Sequence, residues 1–154
     1  MSMLRKIISG GQTGADRAAL DVAMTKGIQH GGFCPKGRKA EDGPIPGVYQ
    51  LVEAAGGYRD RTERNAAHAD GTVLFCPVHP GPGSRLTLAV CQRFEKPLLH
   101  IYPTKPVDEA AQVLRKFIKE HDIRVLNVAG SRASKEPGIY NFVVLVLTKA
   151  LGGS

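Results

Sequence analysis

The stretch "IISGGQTGADRAALDVA", residues 7 to 23, limits what this chain can fold into more than any other part of it. An apolar run stops at Ser9, glycine and polar residues fill positions 10 to 14, and a run of small residues at helical spacing follows. A strand that breaks at glycines into a helix is the opening unit of an α/β sheet. Without a Cβ at Gly10, Gly11 and Gly14, backbone N–H groups can approach a ligand, and the helix N-terminus adds a partial positive charge. Phosphate or another oxyanion is the natural guest, and Gly11→Val is expected to block it. Thr13 can cap the helix and Asp16 can sit in its first turn, roles both residues fill without any ligand.

The same alternation continues along the chain. Apolar runs at 6–9, 28–33, 72–76, 98–102 and 125–129 read as strands, interleaved with helix-like stretches. Strands apolar on both faces imply a mostly parallel five-stranded sheet with helices on each side, α/β/α, in the order 2-1-3-4-5. The clearest helix runs from Val107 to Glu120, with Val107, Ala110, Ala111, Leu114, Phe117 and Ile118 on one stripe. The final segment, "PGIYNFVVLVLTKALGG", has Pro137 at its start and Gly152 and Gly153 at its end, but the run 142–147 is apolar all round and suits a strand or a helix. As a helix it needs more cover than one sheet face, and a subunit interface would supply it.

Composition narrows the class. A chain of 154 residues, 42% hydrophobic and 23% charged, is expected to form one soluble domain over residues 1–154. No apolar run nears the roughly 20 residues a bilayer span needs, and no signal segment opens the chain, so a cytoplasmic location and no membrane partner are expected. Cys34, Cys76 and Cys91 are odd in number and form no CxxC, which argues for free thiols over disulfides or structural zinc. The five histidines are scattered, so no metal ligand is assigned; His79 alone lies near a glycine loop. The net charge of +7 asks for an anionic partner. Its carriers, among them Lys36, Arg38, Arg61, Arg64, Arg132 and Lys135, lie in or beside Gly/Pro/Ser-rich connections. With no aromatic ladder, RNP-like motif or zinc-finger spacing, the charge points to a small anion and away from nucleic acid.

Two familiar phosphate motifs are absent. No GK[ST] occurs, and Ser9, Gly11 and Gly14 give S-x-G-x-x-G without the acidic residue expected about 20 positions on. Other loops complete the site if the sheet is parallel. "CPKGRKAEDG" offers Lys36 and Arg38 to a second anionic group. "CPVHPGPGSRLT" can form a backbone nest at Gly81, Gly83 and Ser84, with Thr87 in the first turn of the next helix. "YRDRTERNAAHADG" can present Arg61, Thr62 and Asn65 to phosphate or carbonyl oxygens. The long connection from Cys34 to about Asp60 is of a length more often functional than idle.

"GGQTGADRAALDVA", "CPKGRKAEDG", "YRDRTERNAAHADGT" and "NVAGSRASKEPGIY", four motifs spread over nearly the whole chain, resemble the signature segments of the molybdenum carrier family. That family is similar in turn to the Rossmann-like SLOG superfamily, which includes the Lonely Guy phosphoribohydrolases. The resemblance implies a Rossmann-like fold, a homo-oligomer (dimer or tetramer), and binding of molybdenum cofactor or a related phosphorylated, nucleotide-like ligand. By position it carries ligand contacts onto Gly10, Gly11, Gln12, Thr13, Gly14, Asp16 and Arg17, then Lys36 and Arg38, then Arg61, Thr62 and Asn65. It implies a carrier or binding protein with no catalytic residue assigned, whose molybdenum would be held chiefly by the pterin dithiolene. The alternative it leaves is hydrolysis of a nucleoside monophosphate at its N-glycosidic bond. The Lonely Guy loop P-G-G-x-G-T-x-x-E reads "PGPGSRLT" here, with Thr87 in place of the acid, so that alternative needs Glu41 or Asp42 as a substitute.

Overall fold

The five apolar runs become the strands of one sheet in the computed structural model, which describes residues 4–152. In chain order the elements are β1 (Lys6–Ile8), α1 (Ala15–Thr25), β2 (Gln29–Gly31), β3 (Phe33–Cys34), β4 (Lys39–Ala40), β5 (Gly43–Pro44), β6 (Val52–Glu53) and α2 (Tyr58–His68). There follow β7 (Gly71–Phe75), α3 (Pro82–Arg93), β8 (Leu98–Ile101), α4 (Val107–Glu120), β9 (Val125–Gly130) and α5 (Ile139–Leu151).

The main sheet has the order β2-β1-β9-β7-β8, and every neighbouring pair is parallel. Numbering its strands 1 to 5 along the chain gives 2-1-5-3-4, which corrects the expected 2-1-3-4-5. The last strand lies at the centre. Burial explains the placement: all of β7 and the middle of β9 are buried, whereas β2 and β8 keep partly exposed residues that suit an edge. Counted from β9 and α5 instead of from β1, the order becomes 3-2-1-4-5, that of a doubly wound nucleotide-binding sheet.

Period-two alternation sorts the strand residues onto two faces. Ile7, Val73, Phe75, Leu126 and Val128 pack with α1, α4 and α5 in the large core cluster. Thr72 and Asn127 point the other way, the Asn127 amide donating to Thr72 Oγ1 at 3.1 Å. On that face α2 and α3 pack together over Ala66, Val90 and Cys91. The small residues of α1 let it lie flush on the sheet. A Cβ at Gly130 would run into the Phe75 carbonyl and come within 2.8 Å of Ala15 Cβ.

The 142–147 run is helical. Val143, Val146 and Leu147 are buried against the core, while Leu145 stays 55% exposed. Gly138, left-handed at φ 90°, precedes the helix and Gly152 ends it; Gly153 lies outside the described residues. The long connection builds its own structure, with β3 paired to β6, β4 paired to β5, and Ile45 buried beneath. Among the described residues no helix is long and apolar enough to cross a membrane.

Candidate functional site

A cleft of about 630 Å³ opens at the carboxyl ends of β1, β9 and β7. The strand order reverses between β9 and β7, so the cleft lies where a doubly wound sheet binds ligands, and its volume suits a small organic molecule. Of the residues singled out from the sequence, Gly10, Gln12, Asp16, Arg61, Thr62, Asn65, Gly81, Gly83, Ser84 and Thr87 line it. Gly11, Thr13, Gly14, Arg17, Lys36 and Arg38 do not.

Arg61 dominates the cleft's chemistry. Its side chain is only 15% exposed, yet among the described residues it donates no hydrogen bond, and its buried Nε has no partner. The guanidinium lies over the Tyr58 ring at 5.6 Å and stands 3.6 Å from Asp16 Oδ2, beyond hydrogen-bond reach. It rests directly on Gly10, where a Cβ would collide with Nη1 and lie 2.8 Å from Cζ. A planar fork of donors left unused in a nearly buried place is a recognition element for a carboxylate or phosphate. Arg132 and Lys135 line the same cleft and add positive charge.

The opening loop is built differently from the anion nest that its glycines suggest. Gln12 N–H donates to Asp16 Oδ2 at 3.3 Å, Gly11 N–H to Ser9 Oγ at 3.4 Å, Thr13 N–H to Gln12 Oε1 at 3.0 Å, and Ala15 N–H to the Ser131 carbonyl at 3.2 Å. The loop thus closes around its own carboxylate. Burial pushes the Asp16 carboxyl up to about 6, against the lowering effect of Arg61 and the loop N–H groups. Gly11 does have a positive φ of 80°, but a Cβ there would meet Leu51 at 2.6 Å and Ile45 at 2.9 Å. Gly11→Val therefore strikes the covering loop and not the ligand space. Gly14, φ 85°, is needed because the Ser131 carbonyl and Ala133 nitrogen pack against it.

Several other residues serve to fasten the loops. Gly14 is the N-cap of α1, and the Thr13 hydroxyl, instead of capping the helix, donates to Glu41 and accepts from Ala133 N–H at 3.1 Å. Arg17 grips Asp42 with two bonds of 2.6 and 3.0 Å. Arg38 donates to the carbonyls of Ile45, Pro46 and Tyr49, and Lys36 is exposed. Both ends of the Asn65 amide bond the backbone of Phe33, at 2.8 and 2.9 Å, so this cleft residue is committed to holding α2 to β3. Glu41 takes bonds from Thr13 and from the hydroxyl and N–H of Ser134, which hold its carboxyl below the usual range; Arg17 does the same for Asp42. Neither lines the cleft. The acid/base pair that glycosidic hydrolysis would require is therefore tied into the covering loop.

The α3 end of the cleft is open. Gly81 is the N-cap, no side chain caps the helix, no acidic residue stands in its first turn, and nothing occupies the space a Cβ would take at Gly81 or Gly83. Thr87 falls in the second turn, buried, with its hydroxyl bonded to the Gly83 carbonyl at 3.3 Å. Sequence reasoning left Tyr58, Asn127, Ser131, Arg132 and Lys135 out of the site, although all line the cleft. Arg132 and Lys135 stand in the "NVAGSRASKEPGIY" motif, and its position after a strand was the available signal. Among the described residues no group of three His, Cys, Asp or Glu could hold a metal ion. The three thiols are free and buried, and burial pushes each of them up.

Comparison with known proteins agrees with this fold. The model of the circularly permutated YpsA SLOG family matches residues 7–151. The crystal structure of a "putative molybdenum carrier protein" from Syntrophus aciditrophicus SB is similar with a TM-score of 0.94 and 43% identity, over 97% of this chain and 96% of that one. No curated protein matches the chain.

Proposed function

The chain belongs to the circularly permutated YpsA SLOG family, and from that premise we propose that it is a binding protein that carries a phosphorylated, nucleotide-like cofactor in the cleft, with molybdenum cofactor as the first candidate. The observation that carries this reading is Arg61, nearly buried in the cleft, its Nε without a partner and its guanidinium making no hydrogen bond among the described residues. Asp16 at 3.6 Å offsets part of its charge but accepts no hydrogen bond from it, and burying such donors is costly unless an acceptor arrives. Arg132, Lys135 and the uncapped N-terminus of α3 line the same cleft and favour a phosphate there, while Tyr58, half exposed, offers a ring face to the flat part of the ligand. Molybdenum cofactor fits this donor set: its phosphate matches the cationic wall. When bound, it brings its own dithiolene ligands to the metal, and the chain need supply none. The protein's part is to hold and shield the cargo.

A homo-oligomer and a cytoplasmic setting belong to the same reading. Exposed Leu145 and Tyr140 on α5 are where a second copy would find apolar surface. The test is to denature protein purified from a molybdenum-replete host and identify what it releases. A pterin or nucleotide is expected in near-stoichiometric amount. Its repeated absence, with no thermal shift from either class, would overturn the proposal.

A further inference from the structure

We propose that Asp16 makes this cleft selective for phosphate monoesters over sulfates, by sharing one proton with the phosphate that Arg61 holds. The inference rests on the reading of the cleft as a phosphate site and adds the means by which it chooses its anion. Asp16 is held in the cleft wall with its side chain 10% exposed. Gln12 N–H fixes its Oδ2 at 3.3 Å, and the same oxygen stands 3.6 Å from Arg61 Nη1. The pair is close enough to attract and too far apart to be saturated. An oxyanion seated on Arg61 brings its neighbouring oxygens against this carboxyl.

Two full negative charges cannot share one guanidinium at such range without strong repulsion. One proton between them removes the conflict and turns it into a charge-assisted O–H···O bond. A phosphate monoester can take part because its second proton leaves near pH 6. Burial puts the Asp16 carboxyl in the same range, at about 6. The proton comes from the buffer when the dianion binds and arrives with the ligand when the monoanion binds. Only O–H bonds are made or broken. Sulfate has no proton to share near neutral pH, so it binds only after Asp16 has been protonated from solvent. The groups facing Asp16 are Arg61 from α2, Arg17 on its own helix, and the Gly10 and Gln12 N–H groups of the opening loop. His79, Arg132 and Lys135 line the same cleft.

Isothermal titration of the whole chain with inorganic phosphate and with sulfate at pH 6.5, in two buffers of different ionisation enthalpy, tests this directly. Wild type is expected to bind phosphate about fourfold tighter than sulfate, the cost of protonating Asp16 about half a unit above its own value, and sulfate binding is expected to strengthen as pH falls. Asp16→Asn should bind sulfate more tightly than wild type, bring the ratio near one, and lose the sulfate pH dependence; His79→Gln should keep the wild-type pattern. Equal binding of the two anions by wild type, or an unchanged ratio in Asp16→Asn, overturns the role of Asp16 and leaves the cleft reading standing. A sulfate pH dependence lost in His79→Gln instead also overturns it. If neither anion nor AMP binds wild type, the cleft reading falls as well. Should Asp16→Asn fail to fold, the wild-type ratio and the sulfate pH dependence, with and without His79, still decide.

Discussion

Gly10 and Asp16 show how a residue's meaning changes once its neighbours are known. Gly10 looks from sequence like room for a phosphate, but the space above its Cα holds the Arg61 guanidinium. Gly10→Ala is therefore expected to push Arg61 aside and weaken AMP binding about tenfold or more, the loss of one charge-assisted partner. Its melting temperature should move little, since the displaced atoms end a flexible side chain. Asp16 carries a pH signature of its own. Its folded pKa of about 6 lies above the unfolded 3.8, so the native state holds the extra proton between those values and stability falls as pH rises from about 4 to 6. Asp16→Asn should therefore raise the melting temperature at pH 7.5, by up to about 3 kcal/mol in stability, and change it little at pH 4. Calorimetry at the two pH values checks this; a variant equally stabilised at both contradicts it. Glu41 and Asp42 act with the opposite sign. Their folded values are depressed by hydrogen bonds, so what they contribute is present above their unfolded values of 4.5 and 3.8 and is lost as the pH falls through the lower folded ones.

The covering loop between β2 and α2 is the element whose role the sequence conceals. Arg17, Arg38, Glu41 and Asp42 are charges in Gly- and Pro-rich stretches, and from the letters alone they suit a ligand as well as a fold. What a sequence does not print is the partner across 20 or more residues. Arg17 finds Asp42, Glu41 finds Thr13 and Ser134, and Asp21 on α1 accepts both Tyr49 at 2.7 Å and Tyr140. These bonds bind the loop to α1 and to the segment between β9 and α5, tie α5 to α1, and seat Ile45 and Leu51 over Gly11. Tyr49→Phe removes one of them, about 1 kcal/mol. Amide exchange of residues 38–52 should quicken severalfold while the β7 and β9 amides keep their protection; unchanged exchange in the loop would mean that this tie is idle. Helices were easier to read. α4 has the bounds its apolar stripe predicts, since burial on one face dictates a local period. The run 142–147 stayed ambiguous because its cover comes from α1 and α4, which are distant in sequence.

At the scale of the molecule, the five strands and their helices were legible in the apolar periodicity, and the order of the strands was not. Each strand is a local pattern, but the insertion of β9 between β1 and β7 depends on which strands can tolerate burial on both faces. That insertion also decides the site. It brings the loop after β9, with Arg132 and Lys135, beside the loops after β1 and β7, and makes the cleft a meeting of three loops and α2. The central claim is that this cleft binds a phosphorylated, flat ligand through Arg61 and the open end of α3, with the opening glycine loop as its wall. Titration of ¹⁵N-labelled protein with AMP, followed by NMR, tests it most directly. The account predicts saturable shifts at the amides of Gly83, Ser84 and Arg132 and at the Arg61 side-chain Nε, all with one dissociation constant and all lost in Arg61→Ala. Shifts centred on the Gly11 and Gly14 amides with Arg61 Nε unmoved, or no saturable shift in the cleft, would contradict it.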